Sequence, residues 1–301
     1  MTKTSVVTKR VYILLAPAKE MDFITAAPIL TQTVPNFLHQ TTAIVSTVKK
    51  STAAKLSADL SCSSSIAAAA HSNYQSWSPT APTSSLPALF AFSGVAFKKL
   101  DARSLTPLSI QFAATNLLLF DPLYGILQGS DIMQPYRLEL SHKLAIDGEE
   151  TSLAIYWKTR VTPFLVATLP LPISTSTPTV LLDASSQEYG KSLLVRPALT
   201  AAAIQLVTCD FLTAHNKASS VHAKQSRGLF ARYCCENTVG TLEEVMGFDK
   251  EGYECVSIEE EEGGHKRITF NRGSVPVAKT ESKKRKVAGD CVAQTPFTAR
   301  L

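Results

Sequence analysis

Val11-Tyr12-Ile13-Leu14-Leu15-Ala16-Pro17-Ala18-Lys19-Glu20-Met21-Asp22 is the stretch that decides the fold class. Its first five residues are apolar, with β-branched and aromatic side chains, and read as a buried strand. Pro17 breaks it. Lys19 and Asp22 follow at the strand's end, where α/β proteins place ligand groups. Two readings stand for them: a phosphate contact by Lys19 oriented by the Asp22 carboxylate, or a surface salt bridge worth about 0–1 kcal/mol.

Working outward, strands and helices alternate along the chain. Residues 41–76 are Ala, Ser, Thr and Leu in a loosely helical pattern, with Leu56 and Leu60 four apart. Residues 78–87 form a loop by composition. Residues 112–120 are apolar enough for a buried helix, ended by Asp121-Pro122. The four prolines and many hydroxyl residues of 163–180 predict an inserted loop. Residues 180–184 and 203–208 read as short core strands. The best helical pattern runs from Lys224 to Asn237, with Leu229 and Tyr233 on one face and Arg232 and Glu236 four apart on another. Thr241 with Glu244 is a capping box, so a short helix is expected over Leu242–Met246. Residues 253–258 and 267–270 alternate as a strand pair with Gly263-Gly264 in the turn. The sum is a mixed α/β (α+β) fold, one globular domain over 11–272.

The chain has 301 residues, 45% of them hydrophobic and 18% charged, against about 25% charged in ordinary soluble domains. That excludes wholesale disorder. No apolar run approaches the roughly 18 residues of a membrane-crossing helix. Thirty basic against 25 acidic side chains give +5, compatible with nucleic acid without requiring it. Residues 1–10 read as a flexible start. Lys9 and Arg10 before the first strand imitate a short signal peptide, which a buried strand explains equally well. Residues 273–301 read as a disordered basic tail carrying Lys279, Lys283, Lys284, Arg285, Lys286 and Arg300. The run Lys283-Lys284-Arg285-Lys286 suits nuclear import in a eukaryote or nonspecific attraction to DNA. The six cysteines lack zinc or iron–sulfur spacing, and adjacent Cys234 and Cys235 suit buried small hydrophobes. The six histidines do not pair at ligand spacing, and no P-loop, dinucleotide fingerprint or Ser-His-Asp signature is present. Neither a metal nor a cofactor is expected.

Five segments occur in a telling order. They are Ala16-Pro17-Ala18-Lys19-Glu20-Met21-Asp22; Leu123-Tyr124-Gly125-Ile126-Leu127 leading into Asp131-Ile132-Met133-Gln134-Pro135-Tyr136-Arg137-Leu138-Glu139; Glu188-Tyr189-Gly190-Lys191-Ser192; the helix from Ala223 to Asn237, with Arg227-Gly228-Leu229, Arg232 and Glu236-Asn237; and Gly247-Phe248-Asp249-Lys250-Glu251-Gly252-Tyr253. In these the chain resembles the YaaA family of peroxide-stress proteins, over roughly residues 11–272. The family pattern leads its first strand directly into the Pro-Ala-Lys loop, which favours a strand over a cleaved signal.

The resemblance implies a helix-hairpin-helix element, binding to double-stranded DNA, and a cytoplasmic role in surviving hydrogen peroxide by limiting free iron. It also marks departures. Pro122-Leu123-Tyr124-Gly125 stands where the family has Gly-Leu-Tyr-Gly, so the hairpin there is expected to be distorted, a proline having no N–H to give. Phe92-Ser93-Gly94-Val95-Ala96-Phe97 lacks the family's carboxylate and tyrosine hydroxyl.

On this resemblance the phosphate backbone is expected in a basic cleft contacted by Lys19, Arg137, Lys191, Lys224, Arg227 and Arg232. Asp22, Gln134, Tyr136, Tyr189, Glu236, Asn237 and Tyr253 are expected to line it. Arg137 suits phosphate or an internal pair with Glu139 or Glu236. Tyr189 and Lys191 share a face only if they lie on a strand. Lys224 and Arg227 share one face of their helix, whereas Arg232 is spaced to pair with Glu236, which ranks it below them. No catalytic residue is assigned, and the alternative is an enzyme acting on a nucleotide or nucleic acid in the same cleft.

Overall fold

A computed structural model describes residues 10–146, 148–170, 178–213 and 220–273. Strands β1 to β11 run over Val11–Leu15, Leu86–Pro87, Leu117–Asp121, Gly125–Gln128, Ile132–Met133, Lys143–Ile146, Glu149–Ser152, Thr179–Asp183, Ile204–Thr213, Tyr253–Glu261 and His265–Arg272. Helices α1 to α11 run over Leu38–Val48, Ala53–Asp59, Ser64–Ser76, Ala88–Ala91, Val95–Leu100, Pro107–Asn116, Leu153–Thr168, Gln187–Leu193, Arg196–Ala201, Ser220–Glu236 and Leu242–Met246.

Seven strands make one sheet in the order β10-β11-β9-β8-β1-β3-β4. The five in the middle are parallel to one another, and β10 and β4 run antiparallel at the edges. Ile13 pairs with Leu117 on one side and Leu182 on the other, which puts the N-terminal strand at the centre. Both neighbours of β1 are near-continuous apolar runs, as parallel strands covered on both faces must be. Thr208 of β9 meets Arg196 of α9, while Phe211 packs on Phe230 of α10. Alternation along the strand therefore sets α9 and α10 on opposite faces.

The 112–120 reading is corrected here. α6 is capped by Thr106, whose hydroxyl accepts from Ser109 N, begins with Pro107 and ends at Asn116. Leu117 is already extended, and the run Leu117–Phe120 is strand. An unbroken apolar run contains no glycine or proline to mark where the period changes. The 163–180 loop is corrected in its first part: α7 continues through Pro163 to Thr168. Leu153, Tyr156, Trp157, Val161 and Leu165 form a buried stripe along it. Burying these side chains, at about 1.5–3 kcal/mol each, exceeds the roughly 3 kcal/mol that an interior proline costs. Residues 171–177 of that expectation, the flexible start 1–9 and the basic tail from 274, with its import signal, lie outside the described residues.

Other elements match the sequence reading. The capping box at Thr241 and Glu244 opens α11 over Leu242–Met246. β10 and β11 pair through a turn holding Gly263 and Gly264, both at positive φ. Cys234 and Cys235 are buried without a disulfide. The hairpin at Pro122 is not distorted: Phe120 pairs with Ile126 and Asp121 with Gly125 in regular register. Pro122 needs no N–H there, because the Asp121 carboxylate takes those of Leu123 and Tyr124. α2 and α3 make a helical hairpin, but its connection Leu60-Ser61-Cys62-Ser63 holds no glycine, so a helix-hairpin-helix of the expected kind is not established.

Candidate functional site

A cavity of about 370 Å³ opens at the carboxyl ends of β1, β3 and β8. This is where the strand order reverses: after β1 the chain adds β3 on one side, then β8 on the other. Two loops diverging from adjacent strands leave a crevice at such a point. Leu15 to Met21 form one wall, and residues 94–97 at the start of α5 lie across from them. The segment Tyr136–Glu139, the start of α8 and one face of α10 close the rest.

Gly94 is required where α5 meets the Lys19 loop, since a Cβ there would strike Ala18. Gly228 lets α10 lie against α5, since a Cβ would collide with the Ala96 carbonyl oxygen. That close approach brings Lys224 and Arg227 of α10 to the cavity.

Four cations line it, Lys19, Arg137, Lys224 and Arg227, together with three carboxylates, Glu20, Glu139 and Glu188. Lys19 is paired with Glu139. Arg137 Nη1 donates to the Lys19 carbonyl at 3.3 Å, and the Tyr74 hydroxyl donates to the Arg137 carbonyl at 2.7 Å, so the two segments brace each other. Lys224 is exposed and has no ion-pair partner among the described residues. Arg227 is half-buried with no hydrogen-bond acceptor among them, and its Nε is fully buried. Burial lowers its pKa, opposed by the charges of Asp183 and Asp210.

Two carboxylates lie beneath, each ending a strand, Asp121 buried and Asp183 half-buried. Asp121 closes β3 and accepts from the Tyr136 hydroxyl at 2.6 Å. Burial pushes its carboxyl up to about 6, opposed by the hydrogen bonds from Tyr136, Tyr124 and Leu123. Tyr136 is held well above the usual phenol range by burial and by Asp121, so it stays protonated and donates. Asp183 closes β8 and accepts from Ser185 N and Oγ. Burial raises its carboxyl too. Gly190 in α8 is fixed by it, because a Cβ there would collide with Asp183 Oδ2. The sequence reading missed Asp183 and the functional side of Asp121. The signal was present: in Leu-Leu-Leu-Phe-Asp and Val-Leu-Leu-Asp a lone carboxylate ends an apolar strand.

Of the expected residues, Lys19, Arg137, Lys224, Arg227, Tyr136 and Tyr189 meet at the cavity. The others lie elsewhere. Lys191 sits on α8, a helix and not a strand, so two residues' separation turns it away from Tyr189; its Nζ reaches Gln187 Oε1 at 3.4 Å. Arg232 spends its donors on Leu100 O, Asp101 O, Ser104 Oγ and Glu236, tying α10 to the end of α5. Glu236 also pairs with Lys250. Asp22 accepts from Ile24 N and Thr25 N in a turn, and bonds from the Thr25 hydroxyl and these backbone groups hold its carboxyl at about 2. Gln134 clamps both backbone polar groups of Ser78. Asn237 donates to Tyr233 O at the end of α10, and Tyr253 bonds Ser226 within an aromatic core.

Among the described residues no group of three His, Cys, Asp or Glu could hold a metal, and no helix is long and apolar enough to cross a membrane. Burial raises the thiols of Cys209, Cys234 and Cys235, the last to about 12, so none of these three supplies a thiolate at neutral pH.

Comparison with known proteins places this architecture. The model of the family described as peroxide stress protein YaaA matches residues 11–258. A UPF0246 protein of Paracidovorax citrulli is 34% identical over 261 residues, 86% of this chain and 97% of that protein. Another from Aliivibrio fischeri strain MJ11 is 34% identical over 82% of this chain and 93% of its own length. A third, from Ralstonia nicotianae, is 35% identical over 80% and 92%. The chain therefore belongs to the YaaA family of peroxide stress proteins.

Proposed function

We propose that this protein serves the response to peroxide by binding DNA through its phosphates at the cleft between β1, β3 and β8. The carrying observation is that Lys19, Arg137, Lys224 and Arg227, spread over more than two hundred residues of sequence, line one cavity. Lys224 and Arg227 have no carboxylate paired to them, so their charge is available to a ligand. Contacts of this kind position a backbone without reading bases, so sequence preference is weak. The resemblance also implies limitation of iron-dependent damage; holding DNA is the part of that role these cations can serve.

Anisotropy titration of labelled duplex DNA across a salt series tests this. Log affinity is expected to fall linearly with log salt, by about 0.9 per phosphate neutralised. Replacing Lys224 and Arg227 together by alanine should flatten that slope by about 2. Affinity for duplex DNA that is insensitive to salt, or unchanged in the double variant, overturns the reading.

A second reading, an enzyme acting on a nucleotide or nucleic acid, is favoured by one feature. The cavity is of small-molecule size, and burial pushes the carboxyl of Asp121, bonded to the lining Tyr136, up to about 6. Turnover of a damaged duplex that disappears in Lys19→Ala selects it.

A further inference from the structure

The charges of the cleft are mixed, four cations with three carboxylates, and this argues about the form in which phosphate enters. A groove for continuous polyphosphate presents cations along its length, and carboxylates among them repel the track. Here Lys19 is already paired with Glu139, leaving Arg137, Lys224 and Arg227 as the cations that face a ligand. Glu20 and Glu188 stand on the same walls.

Arg227 is the most telling of the three. A guanidinium carries five N–H donors and is rarely buried without acceptors, because lost hydration then goes unreplaced. No hydrogen bond or ion pair is made by Arg227 among the described residues, and its Nε is buried. Asp183, the carboxylate whose charge acts most on it, has one oxygen occupied by Ser185 and the other against Gly190. Arg137 repeats the pattern in part: its Nε is buried and unpartnered, and Nη1 makes a single long bond to a carbonyl. The Tyr189 hydroxyl, a protonated donor on the same wall, has no hydrogen-bond partner among the described residues either.

We propose that Arg137, Lys224 and Arg227, with the Tyr189 hydroxyl, form a subsite for a phosphate monoester, the terminal phosphate of a DNA strand or of a nucleotide. A monoester is compact, carries about −1.5 to −2 at pH 7 and has three free oxygens for convergent donors. An internal diester carries one charge and a substituent on each side, so it has fewer free oxygens for these donors and fits the bounded cavity less well. This inference rests on the reading that the cleft takes phosphate, and narrows it from the duplex backbone to an end.

Calorimetric titration of the full chain with thymidine 5′-monophosphate, its methyl ester and thymidine separates the cases. The monoester should bind at least about tenfold tighter than the methyl ester, the ratio that one lost charge-assisted hydrogen bond gives. Arg227→Gln should remove that preference. It should also raise the unfolding temperature of the ligand-free protein, since it relieves a guanidinium without acceptors. Equal affinity for monoester and methyl ester overturns the inference and needs no variant. Duplexes carrying one nick, with a 5′-phosphate or a 5′-hydroxyl, identify the source: preference for the phosphorylated nick assigns strand ends, and none, beside tight mononucleotide binding, assigns free nucleotides. If intact duplex binds with a steep salt dependence while monoester and methyl ester bind alike, the general reading stands and this one fails. If the monoester binds and duplex does not, the reverse holds.

Discussion

Asp121 joins the hairpin turn to the floor of the cleft. Its oxygens take the N–H groups of Leu123 and Tyr124 and the hydroxyl of Tyr136, while burial disfavours its charge. The carboxyl titrates at about 6 in the fold, against 3.8 for the free side chain, so between those values the native state holds a proton the unfolded chain has released. Its contribution is therefore fully present below pH 4 and is lost as pH rises to about 6, by up to about 3 kcal/mol. In Asp121→Asn that loss should be absent, so the difference between the two proteins' urea-unfolding energies should change by up to about 3 kcal/mol from pH 4 to 7. A parallel pH dependence in both would show that the carboxyl is not held in this way. At this scale the sequence was informative about residue type but not about employment. Arg232 and Arg227 are both arginines of one helix, five positions apart. Only their neighbours make one a tie to α5 and leave the other open to the cleft.

Elements form from local signals where those signals are complete. The Thr241 hydroxyl accepts from Glu244 N while Glu244 reaches back to Thr241 N, and this reciprocal pair was readable from two letters. Thr241→Ala should cost about 1 kcal/mol, read as a lower urea midpoint with unchanged m-value. α7 shows the opposite case, where tertiary burial along its 16 residues overrides a proline that marks a loop in isolation. α10 depends on both kinds of information. Its period is visible in the sequence, but its position against α5 rests on Gly228, where any side chain meets the Ala96 carbonyl. Gly228→Ala should destabilise by several kcal/mol despite the better helix propensity of alanine, which alone would stabilise by about 1. A stabilised Gly228→Ala protein would mean the two helices do not approach in this way.

The whole molecule is organised by the order in which strands join the sheet. β11, near the end of the described chain, lies between β9 and β10, and its Phe270 packs with Phe211, Phe230 and Phe248. That aromatic cluster seats α10, the helix that carries Lys224 and Arg227. Phe270→Ala should therefore cost about 3–5 kcal/mol in denaturant unfolding and weaken duplex binding as well, although it lies outside the cavity lining. Loss of stability with binding intact would separate the cluster from the cleft. The sequence alone determined the strand at Val11–Leu15, the existence of a helix through Lys224 to Glu236, the hairpin of β10 and β11 and the family, because each is written in consecutive residues or in segments of fixed order. The tertiary structure alone decided where the unbroken apolar run changes from helix to strand, which of six expected cations meet, and that carboxylates stand among them. Side-chain convergence depends on strand order and on how closely helices approach, and neither has a local period to be read.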